Sequence, residues 1–176
     1  LEESVRLLIA AKDNPRDHCI LTILLNCALR ISEIKALDCS QVSADILNII
    51  GKGNKERKIF LTPAVKSSIS SWLVYRNTIS NCNDEKSLFI SRYGSRMTVR
   101  SLQNVVKKYV KLAGLDENTV SAHTLRHTSA TLMYKYGRVD IRSLQQILGH
   151  ESIATTEIYT HIDESQLQAA VNSNPL

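Results

Sequence analysis

Apolar and polar positions follow a helical rhythm at both ends of the chain and switch to a strand rhythm once, in the middle. The opening segment LEESVRLLIAAK sets Val5, Leu8, Ile9 and Lys12 at helical spacing, and Asn14-Pro15 punctuates it. From Arg16 to Leu29 runs a strongly apolar helix containing CILTILLNCAL, and a helix apolar on nearly every side predicts burial on nearly every side. Arg30 follows, then ISEIKAL, a short amphipathic helix with Ser32 placed to cap it. At DILNII, GKGNKE and RKIFL the period changes, which predicts a β-hairpin around a glycine-rich turn. Pro63 opens the next helical pattern, AVKSSISSWLVYRNTI. SLFIS reads as a short strand or extended piece and RYGSR as a turn. The remainder is helical: TVRSLQNVVKKYVKLAG between Thr98 as N-cap and Gly114 as stop, AHTLRHTSATLMYKYG ending at Gly137, DIRSLQQILG between Asp140 and Gly149, then ESIATTEIYTHI and a weak tail helix. Neither a repeat nor an internal linker interrupts the pattern. The expected fold is one domain, mainly α with a small antiparallel β-sheet (α+β).

Composition narrows this picture modestly. A chain of 176 residues, 43% hydrophobic and 22% charged, is ordinary for a soluble globular domain. Aromatic residues make up only 5%, so the core must be built from Leu, Ile, Val and Ala. No apolar run approaches the ~18 residues of a membrane span, and no signal-peptide pattern is visible. Cys19, Cys27, Cys39 and Cys82 lack CxxC spacing, which argues against a zinc site or a disulfide framework. Cys19 and Cys27 read as small buried hydrophobes, and free thiols suggest a reducing, cytoplasmic compartment. The net charge of +5 favours a polyanionic partner, though only weakly. The chain begins at Leu1 rather than Met, as expected of a piece of something longer.

Several polar residues could carry chemistry. Arg30 ends a very apolar helix; it either serves a site or pairs with Glu33 three residues on. His123 and Arg126, in HTLRH, lie three apart and share a helix face. His127 is four residues from His123, a spacing that suits zinc, but the Glu of the zinc-protease motif is missing and a metal is not expected. His150 follows Leu148-Gly149, where a histidine can simply cap helix carbonyls. Tyr159 alone would read as core. The turn GKGNKER lacks P-loop spacing; it is either a solvated loop or a mobile arm bringing a lysine to a phosphate.

Taken together, the order Arg, Lys, His-x-x-Arg, His, Tyr over ALRISEI, GKGNKERKI, HTLRH, LGH and TTEIYTH closely resembles the tyrosine recombinase (phage-integrase) family. The resemblance covers essentially the whole chain, is strongest to bacterial Xer-type and phage or transposon integrases, and includes the His150-to-Tyr159 spacing. One departure is Cys27-Ala28, where the family often has Thr-Gly; read as a helix position, Ala is a mild replacement. The resemblance implies that residues 1–176 form the catalytic domain of such an enzyme, the N-terminal core-binding domain lying outside them. It implies DNA cleavage and rejoining by transesterification through a 3′-phosphotyrosine at Tyr159, without ATP, metal or other cofactor. Arg30 and Arg126 would clamp the phosphate. His123 would share the tyrosine proton or bond the phosphate, and His150 would donate to a phosphate oxygen. Lys52 would protonate the leaving 5′ oxygen, with Lys55 as rival. Lys55, Arg57, Arg96, Arg100, Lys107 and Lys108 are candidate DNA contacts; for Arg96, Arg100, Lys107 and Lys108 the plainer reading is a solvated helix charge. The implied partners are double-stranded DNA and other protomers in a tetrameric synapse, with no membrane; the tail DESQLQAAVN either docks on a neighbour or frays. The expected location is the bacterial cytoplasm, at the nucleoid. A type IB-like topoisomerase and a non-catalytic DNA-binding module remain as alternatives.

Overall fold

A computed structural model describes residues 1–51, 53, 55–137, 139–149 and 156. The described elements run α1 (Glu2–Ala11), α2 (Pro15–Cys27), α3 (Ile31–Ala36), a 3-10 turn (Cys39–Gln41), β1 (Ile46–Ile50), β2 (Glu56–Phe60), α4 (Pro63–Arg76), α5 (Val99–Leu112), α6 (Ala122–Gly137) and α7 (Ile141–Leu148). The architecture is mainly helical, with one two-stranded antiparallel sheet registered from Ile46↔Phe60 to Ile50↔Glu56.

Local chemistry sets the helix starts. The Asn14 side chain accepts from the Asp17 N–H at 3.0 Å, and Pro15 occupies the first turn, where its missing N–H costs nothing. Thr62 and Pro63 repeat the device at α4, Thr98 caps α5, and Asp140 accepts from the N–H groups of Arg142 and Ser143 at α7. As its composition demands, α2 is central: Cys19, Ile20, Leu21, Ile23, Leu24 and Cys27 are all buried, against α1, α4 and α6. Burial pushes the thiols of Cys19 and Cys27 up to about 12, which makes both inert packing groups.

The irregular stretch between α4 and α5 is held from outside. Trp72 donates its indole N–H to the Leu88 carbonyl at 2.8 Å and stacks on Phe89. The buried Arg76 donates to the carbonyls of Ser87, Asp84 and Glu85. Gly94, at φ 77, is required, because a Cβ there would lie 1.7 Å from the Asn81 carbonyl oxygen. SLFIS forms no strand of its own; besides these side-chain bonds, isolated bridges pair Asp38↔Ser87 and Ile90↔Arg96.

Two boundaries differ from the sequence pattern, and both bear on the site. The long apolar helix ends at Cys27 rather than Leu29, because Ala28 turns left-handed at φ 50, ψ 34. The next helix is capped at Arg30, with Ser32 inside it: the Glu33 carboxylate reaches back to accept from the Arg30 N–H at 2.8 Å, which no serine at position 32 could do. A second, smaller apolar cluster of Ala28, Ala130, Leu144 and Leu148 then ties the end of α2 to α6 and α7. The predicted tail helix lies outside the described residues.

Candidate active site

The site is assembled around a buried cation. Arg126, in the first half of α6, is 4% exposed. Its Nη1 donates to the Ala28 carbonyl at 2.6 Å and its Nη2 to the Leu148 carbonyl at 2.8 Å. Both acceptors sit at helix C-termini, where unsatisfied carbonyls carry partial negative charge, so α2 and α7 each present a negative end to the guanidinium. Two left-handed residues aim those ends: Ala28 closes α2, and Gly149, at φ 62, closes α7. Ala28 is therefore not a mild replacement within a helix. It is a side-chain-bearing residue in a conformation that favours glycine, and its carbonyl holds Arg126.

A single buried carboxylate organises the other cations. Glu33 Oε1 and Oε2 each accept from the Arg57 guanidinium at 2.9 Å, a bidentate fork, and Oε1 also accepts from Arg30 Nη1 at 3.2 Å. Arg126 Nη1 stands 3.7 Å from Glu33 Oε2. Burial alone would raise the Glu33 carboxyl pKa. The Arg57 hydrogen bonds, the Arg30 N–H and the charges of Arg57 and Arg126 outweigh it and hold the group below its ordinary value. Glu33 is the functional residue the sequence reading used only as a pairing partner for Arg30. Its signal is the glutamate three residues into a helix that follows a lone arginine.

Arg30 remains 41% exposed and lines a groove of about 750 Å³ together with His123, Arg126, His127, Arg100 and Lys107. The arginines and histidine expected to act together, from positions almost a hundred residues apart, thus share one cleft. His123 and His127 meet within it, Nε2 to Nε2 at 2.7 Å. The His127 pKa is lowered by burial and by the neighbouring charges of His123 and Arg126.

The remaining candidates divide by environment. Arg100 and Lys107 stand on the groove side of α5, whose opposite face (Leu102, Val105, Tyr109, Val110) is core. Lys55 lines a second groove of about 1260 Å³ beside the hairpin, and Arg57 forms its wall while donating Nε–H to the Ile147 carbonyl at 2.9 Å. Arg96 is drawn into the fold: it binds Asp38 at 2.5 Å and Asp84 at 3.2 Å and donates to the carbonyls of Lys35 and Leu37. Lys108 lies over the Tyr109 ring and beside the buried Asp17. Among the described residues, no group of three or more His, Cys, Asp or Glu side chains is arranged to hold a metal ion. Lys52, His150 and Tyr159 lie outside the described residues.

Such a cation cluster, cradled by helix C-termini on a largely helical domain, can grip a phosphate. Comparison with known proteins leads to the same kind of molecule. Residues 1–166 match the model of the phage integrase family. The chain is 49% identical over 179 residues to the tyrosine recombinase XerC of Caldanaerobacter subterraneus subsp. tengcongensis, covering 100% of this chain and 50% of that protein. It is 35% identical over 159 residues to the tyrosine recombinase XerC of Corynebacterium glutamicum, covering 89% and 50%. The chain thus spans about half the length of these curated relatives. Among solved structures, XerA recombinase superposes with a TM-score of 0.84 at 33% identity, covering 99% of this chain and 64% of that one. The XerH site-specific recombinase bound to its difH substrate in a pre-cleavage complex gives 0.82 at 29% identity, covering 98% and 52%. The chain belongs to the phage integrase family.

Proposed function

We propose that this domain is the catalytic part of a site-specific DNA recombinase, cutting and rejoining strands by transesterification. The observation that carries this reading is the convergence of Arg30, His123 and Arg126 on one groove, with Arg126 locked by two helix-end carbonyls. A phosphodiester under attack gathers negative charge on its non-bridging oxygens. Guanidiniums held in advance stabilise that charge without reorganising, by about 3–4 kcal/mol for each well-placed donor. Arg30 and Arg126 take this role, and Arg100 and Lys107 extend the positive wall along the DNA backbone.

The nucleophile is Tyr159, supported by its place in TTEIYTH nine residues after His150 and by family membership. Its phenolic oxygen bonds to phosphorus as the P–O5′ bond breaks. The phenolic proton passes towards His123, and the 5′ oxygen takes a proton from Lys52, or from Lys55 as the rival in the same turn. The ester bond is conserved in the phosphotyrosine, so the 5′ hydroxyl of a second strand can reverse the step without ATP. His150 donates to a phosphate oxygen. In the cell the partners are duplex DNA and further protomers of the same protein in a synapse, with the C-terminal tail as a candidate contact, and the site of action is the bacterial nucleoid. No described helix is long and apolar enough to cross a membrane.

The test is covalent trapping. Incubated with nicked duplexes carrying the flanking sequences of its own gene, the protein is expected to form an adduct that survives a denaturing gel and persists in EDTA. Tyr159→Phe loses one hydroxyl and should retain DNA binding but form none. An adduct from Tyr159→Phe removes that residue from the role, and strict dependence on added Mg²⁺ or Zn²⁺ overturns the arginine clamp.

A further inference from the structure

Helix α6 brings two imidazoles into the groove one turn apart, and the reaction above uses only the first. His123 and His127 stand with Nε2 atoms 2.7 Å apart, ring centroids 4.3 Å apart and planes at 88°. A nitrogen–nitrogen approach this short needs a proton on one Nε2 and a lone pair on the other, since two protons on the axis would set N–H against N–H. We propose that His127 is a positioning residue for His123, holding its ring through this hydrogen bond and fixing which nitrogen carries the proton. The inference rests on the reading of His123 as the group that takes up the tyrosine proton.

With His127 Nε2 as acceptor, neutral His123 carries its proton on Nε2 and its lone pair on Nδ1. A proton taken up at Nδ1 makes His123 an imidazolium, whose Nε2–H then donates a charge-assisted hydrogen bond to neutral His127. This support exists only while His127 stays neutral, and its surroundings keep it so. Burial, His123 and the adjacent Arg126 all disfavour a proton on it. Across the groove, among the described residues that line it, Arg30 at the head of α3 and Arg100 and Lys107 of α5 outnumber Glu117 of the loop before α6. A neutral partner suits this cleft in a way a carboxylate would not. A carboxylate beside His123 would also pair with Arg126 and cancel part of the positive field meant for the phosphate, whereas an imidazole orients the base and leaves that field intact.

Two measurements on the full chain test the pairing. The first is a ¹⁵N imidazole NMR titration, which reads tautomers without any reaction. His123 is expected as the Nε2-protonated tautomer in the wild type and in His127→Gln, whose amide oxygen can accept the same proton. In His127→Leu it is expected as a mixture. The second is the pH profile of adduct formation. His127→Leu should lose about tenfold in rate, as when the partner orienting a working histidine is removed, and the acid limb of its profile should move to lower pH because the His123 imidazolium has lost its acceptor. His127→Gln should run close to wild type with the limb unmoved. A wild-type tautomer unchanged in His127→Leu, or a His127→Leu profile superimposable on wild type, overturns the inference. If no variant, wild type included, forms an adduct, the proposed reaction fails, while the NMR result still decides whether the pair exists.

Discussion

Two arginine clusters in this domain solve opposite problems. Around Arg96, one guanidinium meets two carboxylates, Asp38 and Asp84, both about a third exposed. It ties the end of α3 to the irregular stretch before α5, and its charge is more than matched. Around Glu33, among the described residues, one carboxylate, 6% exposed, meets three guanidiniums from Arg30, Arg57 and Arg126. Crowding like charges around one buried acid costs repulsion and desolvation that a purely structural pair avoids. The asymmetry fits the function proposed above. The Arg96 network joins two segments of the fold, whereas the Glu33 network gathers guanidiniums beside the groove where the function proposed above needs an anion.

The comparison breaks most visibly at Glu33. Glu33→Ala leaves like charges packed together without their common partner, and removing one member of a buried ionic network costs about 3–5 kcal/mol. Urea denaturation at neutral pH should show that loss; one below about 1 kcal/mol would mean that the cations relax into solvent and that Glu33 organises nothing. The pH dependence follows in sign. The Glu33 carboxyl is lowered in the folded state, so its contribution is fully present above the ordinary carboxylate value and disappears as pH falls through the folded one. Wild-type stability should decline through that acid window, and the part of the decline due to Glu33 should be absent in Glu33→Gln.

The next effect separates the two clusters by substituting lysine for arginine. A lysine at 126 keeps the charge, but as a point donor it cannot hold the Ala28 and Leu148 carbonyls in the planar fork that fixes Arg126. Adduct formation should fall by about 10²–10³-fold, the loss of one preorganised donor. Arg96→Lys should leave the rate per folded molecule unchanged and lower stability by about 1 kcal/mol, since its ion pairs are partly solvated. A comparable loss of cleavage in both variants would erase the distinction between the clusters.

Much of this was legible in advance where a signal is local. The caps Thr98 and Asp140, the helix starts at Pro15 and Pro63, the hairpin and the shared helix face of His123 and Arg126 all follow from residue type and spacing over a turn or two. What sequence conceals is distance. Arg57 and Arg96 read as candidate DNA contacts because their carboxylate partners lie 24, 12 and 58 residues away, so nothing nearby announces them. SLFIS has the composition of a strand but no neighbouring strand to pair with beyond isolated bridges. Ser32 has the chemistry of a cap, yet Glu33 caps the helix one turn back, from the far side.

The smallest effect, and the least readable from sequence, belongs to Ala28. Alanine carries no mark of a left-handed backbone, yet φ is 50 there and the residue is fully buried against Ala130, Leu144 and Leu148. A non-glycine residue in this region is strained by about 1–2 kcal/mol, which Ala28→Gly would release. Two losses oppose the release. Glycine adds about 0.5–1 kcal/mol of backbone entropy to the unfolded chain, and the buried methyl group forfeits about 0.8 kcal/mol of burial. The terms nearly cancel, so Ala28→Gly should change stability by less than about 0.5 kcal/mol in urea denaturation and leave adduct formation intact, because the carbonyl that holds Arg126 stays where it is. On that balance, alanine is tolerated at a position suited to glycine. A gain well above about 1 kcal/mol would show that the strain is larger than the backbone angles imply. A loss of adduct formation without a loss of stability would show that the methyl group, wedged between α2, α6 and α7, is what keeps the Ala28 carbonyl aimed at the guanidinium.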